Sequence, residues 1–226
     1  MKLSWPMELA QWLVIAAMFA VAAAAWSHVP ERMTTHWNMH GEVDGYGGRF
    51  AGLLLIPLLA VGLYLLLLFI PRLDPAYQNY AQFAGTYLAL RFATLLFLAA
   101  IFGGMVLAAL GYRIQILTVV AWSMAGLFAL LGAVMKRLKP NWMVGVRTPW
   151  TLSSELSWNK THRLAGWLFY LIAALMVVWG ALPNTAMFVI TMASLGVSVL
   201  ALVVYSYRVY CDDPNRSPVR GGLGPK

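Results

Sequence analysis

Residues 51–70 read AGLLLIPLLAVGLYLLLLFI, twenty consecutive residues without a charged side chain. A helix of about 20 apolar residues is long enough to cross the hydrocarbon core of a bilayer. Backbone groups inside lipid must be hydrogen-bonded within the segment, and this run lacks the alternation of polar and apolar residues that marks barrel strands. The stretch therefore predicts a membrane-spanning helix.

Five further uncharged runs of 18 to 22 residues lie along the chain. With the first, they predict spans at about 9–26, 51–70, 92–110, 114–135, 165–182 and 185–205. Of all residues, 61% are hydrophobic and 11% are charged, about half the charged fraction of a soluble domain. This composition excludes a soluble enzyme, a disordered chain and a disulfide scaffold. We therefore predict an all-α integral membrane bundle of six transmembrane helices, a single domain over residues 1–210 followed by a flexible cytoplasmic tail, 211–226.

The first run has a second interpretation. Lys2 precedes it and small residues, 22–25, end it, which is also the pattern of a cleaved signal peptide. We favour a retained helix, because 18 apolar residues can span a bilayer and no soluble domain follows. Cleavage would leave five spans and would keep every later loop on the same side of the membrane.

The distribution of Lys and Arg predicts the orientation, since cytoplasmic loops carry the excess of these residues. With the N-terminus in the cytoplasm, 13 of the 16 basic residues fall on the inner side and three on the outer side. We therefore expect both termini and the loops 71–91 and 136–164 inside the cell, and the loop 27–50 outside. The formal net charge of +8 then reflects topology and does not indicate nucleic-acid binding.

The predicted spans contain no ionisable residue of the Asp, Glu, Lys, Arg or His type. Ion-coupled carriers usually place such a group near the bilayer centre. The sequence therefore argues against a carrier driven by protons or sodium.

The inner loop 71–91 is expected to form an interfacial helix before the third span. Asp74-Pro75 supplies a capping residue and a proline suited to the first helical turn. Tyr77, Tyr80 and Tyr87 follow at helical spacing. Tyrosines on an amphipathic interfacial helix usually lie at the level of the lipid headgroups, and we expect that position here.

The outer loop 27–50 contains three of the four histidines, three carboxylates and four glycines. Its glycines favour turns with positive φ, so we expect a compact ordered loop held by hydrogen bonds. His36 and His40 with Asp44 could instead ligate zinc, but the glycines disfavour the helix that would bring the histidines together. We predict neither metal nor cofactor. The candidate functional residues of this loop are His36, Trp37, Asn38, Gly41, Asp44 and Gly45.

The inner loop 136–164 combines aromatic, basic and hydroxyl residues. Arg147 is close in sequence to Pro149-Trp150, where a guanidinium can stack on an indole or pair with a lipid phosphate. A helix is expected from Thr151 or Ser153 and leads into the fifth span. The candidate functional residues of this loop are Asn141, Gly145, Arg147, Thr148, Pro149, Trp150, Glu155, Trp158 and His162.

One face of this helix carries Glu155, Trp158, Asn159 and His162, at positions i, i+3, i+4 and i+7. We interpret this stripe as a surface that packs the helix against the loop, in preference to a binding site at the cytoplasmic opening of the bundle. Glu155 and His162 could act as an acid and base pair, but no nucleophile or set of oxyanion donors accompanies them. We therefore do not predict an enzyme.

Both loops resemble the SdpI family of bacterial multi-pass membrane proteins, named for an immunity protein against a secreted toxic peptide. The resemblance covers about residues 25–175. In the outer loop it rests on His36-Trp37-Asn38, Gly41, Asp44 and Gly45. In the inner loop it rests on Lys139-Pro140-Asn141, Gly145, Arg147-Thr148-Pro149-Trp150-Thr151-Leu152, Trp158, Thr161-His162-Arg163 and Gly166. Thr34, Ala133 and Lys136 depart from the family pattern.

The resemblance implies a protein of the bacterial inner membrane that protects its cell from an extracellular peptide toxin. It also implies a possible cytoplasmic partner, a transcriptional repressor held at the membrane when toxin binds. Two alternatives stay open: a membrane-embedded metal-dependent enzyme that uses His36, His40 and Asp44, and a small-molecule or lipid transporter with Pro57 as a moving part.

Overall fold

The structure is a computed structural model that describes residues 5–219. Its elements in chain order are α1 (Trp5–Ala25), β1 (Arg32–Trp37), β2 (Val43–Gly48), α2 (Arg49–Leu73), a 3₁₀ helix (Tyr77–Phe83), α3 (Ala84–Ala109), α4 (Ile116–Met135), α5 (Pro149–Ser153), α6 (Glu155–Ala181) and α7 (Thr185–Cys211). Within the described residues six helices, α1, α2, α3, α4, α6 and α7, are long and apolar enough to cross a membrane. The prediction of an all-α six-span membrane bundle is confirmed.

The connections between the helices gather at two ends of the bundle. At the hairpin end, the β1–β2 hairpin lies beside the short turns that follow α3 and α6, and His40 hydrogen-bonds Thr185 at 3.1 Å. At the tail end, the two longer loops meet, and the Asn79 amide donates to the Pro140 carbonyl at 2.7 Å. The loops singled out from the sequence therefore lie at opposite ends of the molecule.

The helices pack in two groups. In the first group, α1, α2 and α3 share an apolar core in which Ala22, Leu53 and Phe102 are almost completely buried. In the second group, α4, α6 and α7 pack around a smaller core. Gly132 of α4 and Gly166 of α6 allow a close approach, since a Cβ on either glycine would lie 2.9–3.0 Å from the other's carbonyl oxygen.

A buried ion pair joins the helices of the first group. Arg91 of α3 donates from both terminal nitrogens to the Glu8 carboxylate of α1, at 2.7 and 2.9 Å. Tyr64 of α2 donates to the same carboxylate at 2.7 Å. Glu8 is 5% exposed and Arg91 1%. The prediction that no ionisable residue lies within a span is therefore wrong, because α1 and α3 begin before the uncharged runs and carry these residues into the bundle.

The outer loop folds as an antiparallel β-hairpin, which the sequence analysis did not predict. Three of the six residues of β2 are glycine, and glycine is a poor strand former. Met33 of β1 is 1% exposed and packs against Gly52 of α2, where a Cβ would lie 2.6 Å from the methionine sulfur. This contact fixes the hairpin on the end of the first helix group.

The tyrosines before and within α3 separate into exposed and buried positions. Tyr77 is 58% exposed, whereas Tyr80 and Tyr87 are fully buried. Tyr80 donates to the Asp74 carboxylate at 2.9 Å, and Tyr87 donates to the Leu67 carbonyl at 2.5 Å. The predicted headgroup position is wrong for Tyr80 and Tyr87, because their hydroxyls bind partners inside the protein. A 3₁₀ helix, continued directly by α3, occupies the place of the predicted interfacial helix.

Replacing Arg91 by leucine is expected to destabilise the bundle, because the Glu8 carboxylate would stay buried without its counter-ion. Breaking a buried pair in this way typically costs about 3–5 kcal/mol. The double variant Glu8→Met/Arg91→Leu should recover most of this loss, since it removes both charges. Thermal unfolding of the purified proteins in detergent measures both effects, and an unchanged midpoint in Arg91→Leu would contradict the assigned role.

Candidate functional site

Asn38 and Gly41 shape the tip of the hairpin. The Asn38 side-chain oxygen accepts from the backbone N–H of His40 at 2.9 Å and of Glu42 at 3.0 Å. Its amide nitrogen donates to the Glu42 carboxylate at 2.9 Å. Gly41 has a φ of +80°, a conformation that side chains disfavour. These two candidate residues therefore have a clear role in the turn.

His36 and Asp44 face each other across the hairpin. The Nδ1–H of His36 donates to Asp44 at 2.5 Å, and both side chains are exposed. A Cβ on Gly45 would lie 2.7 Å from the Cβ of His36, so a glycine fits this position. His40 is engaged elsewhere, with Thr185. No group of three or more His, Cys, Asp or Glu side chains in the described part of the chain could hold a metal ion.

A cavity of about 550 Å³, here called the hairpin cavity, lies beneath the hairpin where the two helix groups meet. Residues 35–39, which include His36, Trp37 and Asn38, form its roof. Its walls come from α2, α3, α4, α6 and α7 and consist of Ile56, Ile101, Met105, Ile116, Leu117, Val120, Trp179 and Phe188. Trp179 is 4% exposed, and its indole N–H has no hydrogen-bond partner among the described residues. The cavity is thus apolar with one unsatisfied buried donor.

Asn141 organises the inner loop at the tail end. It is 1% exposed, and its side-chain oxygen accepts from the backbone N–H of Met143 at 3.0 Å and of Val144 at 2.6 Å. The Asp74 carboxylate accepts from the backbone N–H of Trp142 at 3.0 Å. Because Asp74 also binds the segment that leads to α3, it holds the two inner loops against each other.

His162 anchors the same loop to α6. Its Nε2 accepts from the Val146 backbone N–H at 3.0 Å, and its Nδ1–H donates to the Trp158 carbonyl at 2.8 Å. The imidazole stacks on the Trp158 indole with ring centroids 4.0 Å apart, and that indole donates to the Leu138 carbonyl at 2.9 Å. Gly145 has a φ of +110°, and a Cβ there would collide with the His162 ring. The imidazole is therefore neutral, and both of its nitrogens bind the main chain.

The polar face predicted on this helix divides into two parts. Trp158 and His162 are buried, whereas Glu155 and Asn159 are exposed. An acid and base pair of Glu155 and His162 does not form, because main-chain partners occupy both ring nitrogens of the histidine. The buried half of the stripe is a packing seam between the helix and the loop.

The side chains of Arg147 and Trp150 contact different parts of the protein. The Arg147 guanidinium donates to the Trp142 carbonyl at 2.6 Å and is exposed. Trp150 packs against Tyr207 of α7 with ring centroids 5.1 Å apart. The predicted stacking of Arg147 on Trp150 is absent from the cation–π contacts of the described residues.

Thr148 and Pro149 start α5 and fix it to α7. The Thr148 hydroxyl accepts from the Thr151 backbone N–H at 3.1 Å and donates to the Ser206 hydroxyl at 3.0 Å. Pro149 occupies the first helical position, where its missing N–H costs nothing. The predicted start at Thr151 or Ser153 lies within this short helix, and the helix that leads into the fifth span, α6, begins two to four residues later, at Glu155, after the Ser154 cap.

The chain after α7 docks on the junction between α5 and α6. The Ser154 hydroxyl donates to the Asp213 carboxylate at 2.5 Å, and the Ser217 backbone N–H donates to the Ser153 carbonyl at 2.9 Å. The hydrogen bond from Ser154 holds the pKa of Asp213 below its usual value. The start of the tail thus contacts the bundle, and residues 220–226 lie outside the described residues. The flexibility of segment 211–226 stays a prediction.

Between this docked segment and the inner loop lies a second cavity of about 420 Å³, here called the tail cavity. Its lining is Trp142, Arg147, Pro149, Leu152, Ser153, Ser217, Pro218 and Val219. Among the described residues of this lining, Arg147 is the one with a cationic side chain. The tail cavity is open to the side of the protein that is predicted to face the cytoplasm.

Sequence reasoning missed three residues that matter at these sites. Glu8 and Arg91 stand just outside the uncharged runs, and that position could have suggested a pair at the ends of two helices. Trp179 lies in an apolar run like any core tryptophan, and nothing in the sequence indicates that its N–H lacks a partner. Its role depends on the tertiary structure alone.

Comparison with known proteins gives two family matches. A model described as the SdpI/YfhL protein family matches residues 137–206, which cover the inner loop, α5, α6 and most of α7. A model described as a domain of unknown function, DUF1648, matches residues 13–61, which include the hairpin.

A curated relative matches as well. The chain is 31% identical over 109 residues to the Immunity protein SdpI of Bacillus subtilis (strain 168). The match covers 46% of this chain and 50% of that protein, so it spans about half the length of the relative. No solved structure matches the chain.

Gly145→Ala is expected to loosen the inner loop, because the added methyl group collides with His162 and the positive φ becomes strained. Strain of about 1–3 kcal/mol would raise the population of the open loop by about five- to 150-fold. Tryptic cleavage after Arg147 in the purified protein measures this opening. Gly126→Ala is a matched control, since a Cβ at Gly126 meets nothing within 4 Å. Equal cleavage rates in both variants would contradict the assigned anchor.

Proposed function

We propose that this chain belongs to the SdpI/YfhL family, whose model matches residues 137–206, and that it is an immunity protein of the bacterial inner membrane that protects its cell from an extracellular peptide toxin. The observation that carries the proposal is the match to a relative named as an immunity protein. Because the match covers only half of that relative, the ligand and the partner of this chain are also proposals. The bundle of six apolar helices fits a protein that works at the membrane that such toxins attack.

In this proposal the hairpin end faces the outside. The excess of Lys and Arg on the loops of the tail end supports this orientation, since basic residues are retained in the cytoplasm. Toxin would then reach the hairpin, where His36, Trp37, Asn38 and Asp44 lie at the surface or roof the hairpin cavity.

The hairpin cavity is the proposed toxin site. Its apolar walls suit the hydrophobic side chains of a membrane-active peptide, and its volume lies within the range of ligand pockets. The N–H of Trp179 is buried in the free protein and would donate to a carbonyl oxygen of the peptide after toxin binding turns the indole toward the cavity. A buried donor without a partner costs free energy, so a ligand that satisfies it gains affinity.

The tail end would report that toxin is bound. Helix α6 carries Trp179 at the hairpin cavity and His162 under the inner loop, about 25 Å apart at 1.5 Å per residue. A movement of this one helix would reach both sites. A cytoplasmic repressor could then bind beside Arg147 at the tail cavity, which the resemblance to the family suggests as a second role.

The alternatives lack a supporting observation of this kind. A metal-dependent enzyme needs ligands that converge, and His40 is bonded to Thr185 instead of His36 or Asp44. The bundle does contain ionisable groups, so their absence is no longer an argument against ion-coupled transport. Glu8 and Arg91 are, however, paired with each other.

Cells that lack the gene should be sensitive to a membrane-active peptide toxin of the sporulation-delaying type, and the wild-type gene should restore survival. Arg147→Ala, present at normal levels in the membrane, should fail to restore it if the inner loop executes the response. Arg216→Ala removes a cation at the same end and serves as the control. Equal survival with and without the gene across a panel of such toxins would contradict the immunity function.

Filling the hairpin cavity should also abolish protection. Val120→Trp places an indole in the cavity, whereas Val21→Trp adds the same side chain at an exposed position of α1. Trp179→Phe removes the indole N–H together with part of the cavity wall, and it should lower the toxin concentration that cells survive by at least about fivefold, the equivalent of one hydrogen bond of about 1 kcal/mol. Survival curves against toxin concentration measure both effects. If the cavity variants protect like wild type, the immunity function stands and the proposed binding site is wrong.

A further inference from the structure

A third cavity of about 280 Å³ opens on the side of the bundle at the tail end, between α4 and α6. We call it the basic crevice. It is lined by Gly132, Lys136, Arg163, Gly166, Trp167 and Tyr170. None of these residues takes part in the proposed toxin site or in the tail cavity.

Two glycines create the floor of the crevice. A Cβ on Gly132 would lie 2.9 Å from the Gly166 carbonyl oxygen and 3.0 Å from the Tyr170 ring. The helices therefore approach closely here, and the larger side chains on either side of the contact form the walls. A side chain on either glycine would fill the space that the crevice occupies.

The walls carry two cations without carboxylate partners. Lys136 and Arg163 are both exposed. The ion pairs of the described residues are His36 with Asp44 and Arg91 with Glu8, so neither cation belongs to one. Two neighbouring positive charges that face a common space favour an anion between them.

The crevice lies at the level where lipid phosphates are found. Lys136 directly follows the apolar run 114–135, and Arg163 directly precedes the run that begins near residue 165. Trp167 is 69% exposed and Tyr170 is 42% exposed, although both stand on a membrane-spanning helix. Exposed aromatic side chains of this kind mark the interface between hydrocarbon and headgroups.

We propose that the basic crevice binds the phosphate of an anionic phospholipid, with Lys136 and Arg163 as the ligands of the phosphate. The indole of Trp167 and the ring of Tyr170 would lie along the glycerol and the upper acyl chain. A crevice that opens sideways to the bilayer and combines cations with exposed aromatic rings fits a lipid better than a soluble anion. This site is independent of the immunity function.

Native mass spectrometry of the full-length protein, released from detergent with added dioleoyl phosphatidylglycerol or dioleoyl phosphatidylcholine, tests the site. Wild type should retain phosphatidylglycerol in preference to phosphatidylcholine. At about 1 kcal/mol for each basic residue, Lys136→Gln/Arg163→Gln should lower phosphatidylglycerol affinity by roughly thirtyfold. Phosphatidylcholine binding should change little, because the variant removes charge and leaves the aromatic walls.

Arg137→Gln/Lys160→Gln is the matched control, since it removes two exposed cations at the same end that do not line the crevice. It should keep the lipid preference. An equal loss in both double variants would overturn the proposal in favour of diffuse surface charge. Displacement of the lipid by millimolar inorganic phosphate would identify a soluble-anion site and would overturn it as well. Equal thermal midpoints of the two variants would show that neither result comes from misfolding.

Discussion

The interior of a bilayer offers no water to a buried polar group, so each such group must find its partner within the chain. The clearest example is the Glu8 carboxylate, which accepts two hydrogen bonds from Arg91 and one from Tyr64. These three residues come from three different helices. One buried cluster therefore fixes the relative positions of α1, α2 and α3, and the hairpin is seated on the end of that group.

The same constraint explains the residues that the two loops use. Asn38 and Asn141 each bind backbone N–H groups that no helix or strand satisfies. His162 does so with both ring nitrogens, and Asp74 joins two loops through its carboxylate. Several candidate functional residues therefore hold the irregular backbone of the loops in place close to the membrane. Their substitution would disturb function through loop shape.

Four buried side-chain atoms in residues 5–219 have no hydrogen-bond partner, namely Gln11 Oε1, Arg91 Nε, Thr161 Oγ1 and Trp179 Nε1. Of these four residues, Trp179 is the one that lines the hairpin cavity. The cavity lies at the boundary of the two helix groups, and α6 connects it to the anchored inner loop. The proposed function depends on this geometry, because one helix joins the proposed toxin site to the inner loop at the other end of the bundle. The basic crevice, the proposed lipid site, lies on another side of α6 and shares no residue with the hairpin cavity.

The sequence by itself determined the six spans, because uncharged runs of this length have no stable conformation in lipid other than a helix. The resemblance to a family also identified Asn141, Gly145 and His162 as residues of interest. Their roles could not be predicted, since a glycine with positive φ beside a histidine ring is a contact between segments 17 residues apart in sequence. The sequence did not predict the hairpin, because its glycines disfavour strands and its stability comes from packing on α2. Only the tertiary structure decided which charges are buried together and which buried polar atoms of residues 5–219 have no partner, because both depend on distances between helices that local sequence does not encode.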